Sequence, residues 1–177
     1  MPAAGLPSDP YALAKVAASA ILERFEIPHL EVAFVLGSGW SAAADDLGQP
    51  LGSCELADLP GFAKPTVVGH GGALRIASAP SGRITAIFTG RTHLYEGYGA
   101  DQVVHGVRTA ICAGANVIVL TNGCGGLNSE WAPGTTVLIR DYINLTGSSP
   151  LAGARFIDMS MPYSARLRDL ARSVEPG

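Results

Sequence analysis

Residues 31–40, EVAFVLGSGW, join a short apolar run to a glycine-rich turn. Positions 31–36 are almost continuously apolar and include β-branched side chains, a pattern typical of a strand buried on both faces. The run ends at Gly37-Ser38-Gly39, and the small residues at 41–44 suit the first turns of a helix. This order of strand, turn and helix predicts one unit of an α/β fold.

The same order recurs along the chain. Two further strand-like runs, 84–89 and 116–121, also lead directly into polar or glycine-rich loops. A run at 73–77 joins the first of them through Ser81-Gly82, which predicts a β-hairpin. The other predicted elements are a helix that begins at Asp9-Pro10, a helix over 101–113 capped by Asp101, a strand over 136–140, and a helix over 164–173 with Leu167, Leu170 and Ala171 facing inward.

Strands that alternate with helices, with one hairpin inserted, predict an α/β fold: a central mixed, mainly parallel β-sheet flanked by helices. The chain shows no internal repeat and no low-complexity linker, so we expect a single domain over residues 1–177. Ligands of such folds bind beyond the carboxyl ends of the strands, where loops converge. The loops after the three buried runs are therefore the first places to look for a site.

Composition excludes several classes of function. Twelve Lys and Arg residues against 15 Asp and Glu give a net charge of −3, so the chain has no basic field for nucleic acid. Three widely spaced cysteines form neither a disulfide framework nor a zinc motif. No apolar run approaches the roughly 18 residues of a membrane span, and the first residues lack a signal-peptide pattern. We expect a cytoplasmic protein without a metal, a nucleic-acid partner or a membrane partner.

The loop at 90–97, GRTHLYEG, carries the densest set of chemically useful side chains. Arg91 offers a planar fork of N–H donors that suits a phosphate dianion. His93 and Tyr95 follow at intervals of two residues, so in an extended loop all three side chains share one face. An anion and sugar pocket is one interpretation, and a solvated loop with an Arg91–Glu96 ion pair is an equal alternative on the residues alone.

Glycine-rich turns follow the other two strands. Gly37-Ser38-Gly39 could present backbone amides and the Ser38 hydroxyl to an anion, although such a turn is more often only a tight bend. Gly123, in the run TNGCGG at 121–126, could point its amide at the same anion. His70 lies between glycines and is by default a surface histidine. Asn144, in DYINLT at 141–146, is expected to satisfy backbone groups of its own turn.

Together these segments resemble the homotrimeric class of purine nucleoside phosphorylases, with an actinobacterial character. The motifs that carry the resemblance occur in the family's order from about residue 32 onward: LGSGW, GHGG, GRTHLYEG, HGVR, TNGCGGLN, DYINLTGSSPL and FIDMS. Any one of them is weak, but several in order are specific. Relative to the family, the chain is expected to lack the C-terminal third, which carries the purine-recognising residues.

The resemblance implies a role for individual residues. Ser38, Arg91 and His93 match the catalytic residues that hold phosphate, and the Gly123 amide completes that grip. Tyr95 and His70 match contacts to the ribose. Asn122, with Gly123, matches part of the base wall. Phe156 matches an aromatic side chain that covers the ribose of the neighbouring subunit, so the resemblance implies a homotrimer.

The implied reaction is reversible phosphorolysis of purine (deoxy)ribonucleosides to free purine and (deoxy)ribose 1-phosphate. Inorganic phosphate is a co-substrate, and no metal or organic cofactor is expected. Two alternatives stay open: a methylthioadenosine phosphorylase, which would share the phosphate site, and a truncated protein that binds phosphate or nucleoside without catalysis.

Overall fold

The computed structural model describes residues 5–37, 39–63, 72–151 and 153–174. The chain forms two units, residues 1–124 and residues 125–177, and each is described by itself. Whether the two units form the single domain expected from the sequence depends on how they pack together, so the single domain stays a prediction.

A five-stranded mixed sheet forms the centre of the first unit. Its strands are β1 Val32–Val35, β2 Gln49–Glu55, β3 Ala73–Ser78, β4 Ile84–Phe88 and β5 Val117–Leu120, in the spatial order β2-β3-β4-β1-β5. Strand β1 pairs in parallel with β4 and β5, whereas β2, β3 and β4 pair antiparallel. The predicted α/β fold and the predicted β3–β4 hairpin are confirmed.

Strand β2 was not predicted from the sequence. Its residues, QPLGSCE, include a proline and a glycine and contain no β-branched side chain. The strand lies at the edge of the sheet, and its pairing with β3 is irregular between Pro50 and Gly52. An edge position tolerates both residue types, because only one side of the strand must supply ladder hydrogen bonds.

The described residues also form four α-helices: α1 Pro10–Arg24, α2 Ala100–Val103, α3 His105–Cys112 and α4 Ala165–Val174. Three short 3₁₀ helices complete their secondary structure, Ser41–Asp46, Leu56–Asp58 and Leu94–Glu96, and the first of them stands where the helix after the Gly37 turn was predicted. The predicted start of α1 is confirmed, since the Asp9 carboxylate accepts a hydrogen bond from the Ala12 N–H at 2.7 Å. No helix of the described residues combines the length and apolar character needed to cross a membrane.

The predicted cap at Asp101 is wrong. Gly99 occupies the cap position of α2, and Asp101 lies inside that helix. The Asp101 carboxylate is instead 2.6 Å from the Arg108 guanidinium, an ion pair that joins α2 to α3. One continuous helix was predicted, but the chain is divided at Val104, which caps both α2 and α3.

The main core lies between one face of the sheet and helices α1 and α3. Alternation along β1 sends Ala33 and Val35 into this core, where they pack with Phe88 and Ile21. Phe34 points to the other face and packs in a smaller cluster. Burial on both faces explains the nearly continuous apolar runs of β1 and β4.

The described residues of the second unit form irregular chain with turns and bends, followed by α4. The strand predicted over 136–140 is wrong, because none of these residues joins a described strand. Val137, Leu138 and Ile139 are all exposed. An apolar run indicates that a strand could form, but a strand is stable only beside a partner, and the described residues provide none here.

Local side-chain bonds hold the turns of this unit. Asn144 accepts from the Thr146 N–H at 3.0 Å and donates to the Ser148 carbonyl at 2.9 Å, as predicted for a residue that satisfies its own turn. Asp158 accepts from the Ser160 N–H, and this bond lowers the pKa of the exposed carboxyl. The inward face predicted for α4 is wrong at Leu170, which is exposed.

His105 is a buried polar side chain at the start of α3, with 4% of its surface exposed. Its Nε2 lies 2.9 Å from the Pro60 carbonyl oxygen, and its ring packs edge-on against Phe62. A carbonyl can only accept, so Nε2 carries the hydrogen. Burial, reinforced by the nearby Arg108 charge, lowers the pKa of His105 below its usual value of 6.5.

Removing the cap of α1 should weaken the protein in a graded way. We expect Asp9→Ala to lower the free energy of unfolding by about 1 kcal/mol, because the Ala12 N–H loses its acceptor. Asp9→Asn keeps a capping oxygen and should stay within a few tenths of a kcal/mol. Urea unfolding followed by circular dichroism measures both, and equal stability of the two variants would contradict the assigned cap.

His105 should make stability depend on pH. Its lowered pKa means that the unfolded chain binds the proton more readily. The contribution of neutral His105 is therefore complete above pH of about 6.5 and is lost as the pH falls toward the lower folded-state pKa. His105→Gln, which keeps a donor for the Pro60 carbonyl, should remove this part of the pH dependence.

The exposed residue His29 provides the matched control. Unfolding by urea at pH values from 5 to 8 should give parallel profiles for His29→Gln and the unaltered protein. A His105→Gln profile parallel to both would show that His105 does not titrate on unfolding.

Candidate anion site at the sheet edge

Three loops meet where β4, β1 and β5 end. These strands are adjacent and parallel, so their carboxyl ends lie at one edge of the sheet. Backbone bonds extend the pairing into the loops: the Leu36 N–H donates to the Phe88 carbonyl at 2.9 Å, and the Thr121 N–H donates to the Val35 carbonyl at 3.0 Å. The predicted candidates Arg91, Asn122 and Gly123 all follow these strand ends.

The Arg91 side chain lies between the other two loops. Its Nη1 donates to the Thr121 carbonyl oxygen at 2.5 Å. A side-chain carbon built on Gly37 would lie 3.0 Å from both Nη1 and Nη2 of Arg91 and 2.6 Å from the Thr121 oxygen. The guanidinium therefore packs directly against the Gly37 backbone, which only glycine permits.

The alternative of an Arg91–Glu96 ion pair is not what the structure contains. No ion pair of the described residues joins the two side chains. The Glu96 carboxylate instead accepts from the His93 N–H at 2.9 Å and holds its own turn. Arg91 thus has a neutral carbonyl oxygen as its partner among the described residues, and no carboxylate there is paired with it.

His93 and Tyr95 form a stacked pair. Their ring centroids are 4.7 Å apart and the rings are inclined by only 16°. The loop was predicted to be extended, but residues Leu94–Glu96 form a 3₁₀ turn closed by Gly97 in the left-handed region. The turn leaves the Tyr95 side chain 82% exposed. Among the described contacts, none joins the His93 ring to the Arg91 guanidinium.

Two residues of this edge were missed by the sequence analysis. Thr121 supplies both the carbonyl held by Arg91 and a hydroxyl that accepts from the Gly37 N–H at 2.9 Å. Trp40 donates from its indole Nε1 to the Asn122 carbonyl oxygen at 3.3 Å. Thr121 could have been found from the sequence, because it is a hydroxyl residue between an apolar run and a glycine-rich turn. The Trp40 contact spans 82 positions and has no local signal.

The remaining predicted residues lie elsewhere or are exposed. Ser38 and His70 lie outside the described residues, so their predicted roles stay predictions. Asn122 and Gly123 are exposed on the loop after β5. Phe156, in the second unit, is 95% exposed. In the described ranges, no three His, Cys, Asp or Glu side chains gather in a group that could hold a metal ion.

A cavity of about 270 Å³ lies at the opposite ends of these strands. Its lining includes Val32, Phe34, Leu47 and Thr85, with Arg83 from the β3–β4 turn. The Arg83 side chain is exposed and lies 3.8 Å from the Glu31 carboxylate. This cavity is apolar in character and remote from the loops that carry the candidate residues.

The loop cluster as a whole is suited to an oxyanion. A half-buried guanidinium is held in place by a carbonyl, and turns rich in glycine surround it. Fixed guanidinium and backbone N–H donors bind phosphate-like groups without a net basic surface.

A methyl group at position 37 should disrupt this packing. We expect Gly37→Ala to lower the free energy of unfolding by about 1–3 kcal/mol, because the new carbon overlaps the Thr121 oxygen and the Arg91 guanidinium. Gly125→Ala is the matched control, since a carbon there meets no atom within 4 Å. Urea unfolding measures both, and equal effects would contradict the close approach of Arg91 to Gly37.

Comparison with known proteins identifies the family of the chain. Residues 31–176 match the family described as the phosphorylase superfamily. A purine nucleoside phosphorylase of Cellulomonas sp. is 47% identical over 173 residues, which cover 96% of this chain and 61% of the relative. The purine nucleoside phosphorylase of Mycobacterium tuberculosis is 46% identical over 168 residues, covering 95% of this chain and 62% of the relative.

The fold is also shared with solved structures. Isoform 2 of purine nucleoside phosphorylase from Schistosoma mansoni, in complex with cytosine and ribose-1-phosphate, matches with a TM-score of 0.82 and 29% identity. That match covers 93% of this chain and 60% of the other. The chain thus spans about three fifths of the length of its curated relatives. The resemblance read from the motifs is confirmed, and the chain belongs to the phosphorylase superfamily.

Proposed function

We propose that the protein is a purine nucleoside phosphorylase, which converts a purine (deoxy)ribonucleoside and inorganic phosphate to free purine and (deoxy)ribose 1-phosphate. The observation that carries the proposal is the position of Arg91, whose guanidinium meets Gly37 and Thr121 where three loops converge. The motifs of these loops, and relatives that carry this name, support the same activity.

Arg91 is the principal phosphate-binding residue in this proposal. One N–H of the guanidinium is engaged by the Thr121 carbonyl. A guanidinium has five N–H donors, so the fork can hold its own position and still bind an oxyanion. His93, the Ser38 hydroxyl and the Gly123 amide are the other groups that bind the phosphate.

The bound phosphate acts as the nucleophile. Cleavage of the bond between the sugar C1′ and the purine nitrogen leaves its electron pair on the purine, and the sugar develops oxocarbenium character. A phosphate oxygen beside C1′ stabilises that charge and then forms the new bond. The leaving purine takes up a proton, which is balanced by the proton that HPO₄²⁻ loses when it becomes the sugar phosphate ester. Bringing both reactants into one site removes much of the entropic barrier, and the proposed chemistry uses no organic cofactor or metal.

Sugar and base contacts follow the resemblance. The exposed Tyr95 ring, braced by its stack on His93, offers a flat surface for the ribose. His70 would contact the same sugar, and Asn122 with Gly123 would form part of the base wall. The exposed Phe156 would cover the ribose of a neighbouring subunit in a homotrimer.

The wider context belongs to the same proposal. We propose a single nucleoside phosphorylase domain over residues 1–177 that works in the cytoplasm, without nucleic-acid or membrane partners. The thiols of Cys54, Cys112 and Cys124 are all free, which suits a reducing compartment.

Loss of the Arg91 charge should raise the KM for phosphate far more than the KM for the nucleoside. We expect Arg91→Ala to raise the KM for phosphate by about 10- to 100-fold, the worth of a charge-assisted hydrogen bond. Initial rates of purine release from inosine at varied phosphate measure this. Arg83→Ala, which removes an exposed guanidinium at the far end of the strands, should leave the KM unchanged.

Two results would contradict the proposal: no phosphate-dependent release of purine by the unaltered protein, or an unchanged phosphate KM in an active Arg91→Ala variant. A panel that includes methylthioadenosine tests the related activity, and faster phosphorolysis of methylthioadenosine than of inosine would favour that alternative.

A further inference from the structure

Trp40 connects two of the three loops at the anion site. Its indole Nε1–H donates to the Asn122 carbonyl oxygen at 3.3 Å, so the loop after β1 grips the loop after β5. The Trp40 backbone is itself fixed, because its N–H donates to the Gly37 carbonyl and its carbonyl accepts from the Ala43 N–H, both at 3.1 Å. Trp40 is itself exposed, at 37% of its surface, so these hydrogen bonds and not burial hold it in place.

The bond to Asn122 determines the direction of a different group. The Asn122 carbonyl and the Gly123 N–H belong to one planar peptide unit, in which a trans bond makes C=O and N–H point in opposite directions. Holding the carbonyl toward the indole therefore aims the Gly123 N–H away from it. Among the described residues, the Gly123 N–H has no hydrogen-bond acceptor.

The preceding peptide unit is held in the same way. Arg91 binds the Thr121 carbonyl, which shares a peptide plane with the Asn122 N–H. Two consecutive planes are thus fixed by two side chains from two other loops. Without the indole contact, the peptide before Gly123 could rotate easily, since glycine imposes little restriction on its backbone angles.

We propose that Trp40 is a positioning residue, which sets phosphate affinity by orienting the Gly123 N–H toward the anion without touching the anion itself. The inference rests on the proposed function, in which that amide is one of the phosphate donors. In this inference, Trp40 affects phosphate affinity only by fixing the orientation of the peptide between Asn122 and Gly123.

Replacing the indole by a ring without a donor tests the idea. Trp40→Phe should raise both the KM and the Kd for inorganic phosphate by about tenfold, the worth of one hydrogen bond to a charged group. The KM for inosine should change less than twofold. Trp131→Phe removes the other tryptophan, in the second unit, and should leave both phosphate constants unchanged.

A titration of the unaltered protein gives a second readout that needs no variant. Inorganic phosphate should shift the ¹⁵N–¹H resonances of the Gly123 amide and the Trp40 indole with one common Kd. In Trp40→Phe, saturating phosphate should shift the Gly123 amide less, while the Arg91 side-chain resonances still respond.

The outcomes separate the inference from the function on which it rests. Shifts at Arg91 without a shift at Gly123, or a Trp40→Phe variant that matches Trp131→Phe in phosphate Kd, would overturn the role of Trp40 and leave the phosphorylase proposal standing. Equal losses of phosphate and inosine affinity would also overturn it, because they indicate general disruption. No response of any site resonance to phosphate would overturn both.

Discussion

The hydrogen bond from Arg91 to the Thr121 carbonyl oxygen joins the ends of two strands that are not neighbours in the sheet. The two strands are β4 and β5, and β1 lies between them. The guanidinium passes over the carboxyl end of β1, where it packs against the Gly37 backbone. A side chain at position 37 would fill the space that the guanidinium occupies. The site therefore depends on a glycine that makes room, a carbonyl that accepts, and a cation whose remaining donors can face a ligand.

The sheet explains why a few residues are enough to build the anion site. Parallel pairing of β4, β1 and β5 brings three loops to one edge of the sheet. Burial of β1 and β4 on both faces fixes the register of those two strands. The loops can then be glycine-rich, since their positions are set by the strands and by cross-loop bonds. An acidic chain can bind an oxyanion in this way, with local donors in place of a basic surface.

Sequence patterns predicted the features that depend on residues close together in the chain. The apolar runs predicted β1 and β4 because burial on both faces leaves a continuous signature. The run at 116–121 also predicted a strand, β5, but its residues are half-buried or exposed and not buried as expected. The loop residues Arg91 and Gly123 lie after strands, as predicted. Contacts to backbone carbonyls leave no such signature, so Thr121 and Trp40 were missed. The strand predicted over 136–140 failed for a related reason: composition says nothing about whether a partner strand is present.

We propose that the loops after β1, β4 and β5 bind one oxyanion together. A crystal structure of the protein with inorganic phosphate is the decisive measurement. We expect phosphate oxygens within about 3 Å of an Arg91 guanidinium nitrogen and of the Gly123 amide nitrogen. Phosphate bound away from both groups, with Arg91 still turned to Thr121, would contradict the claim.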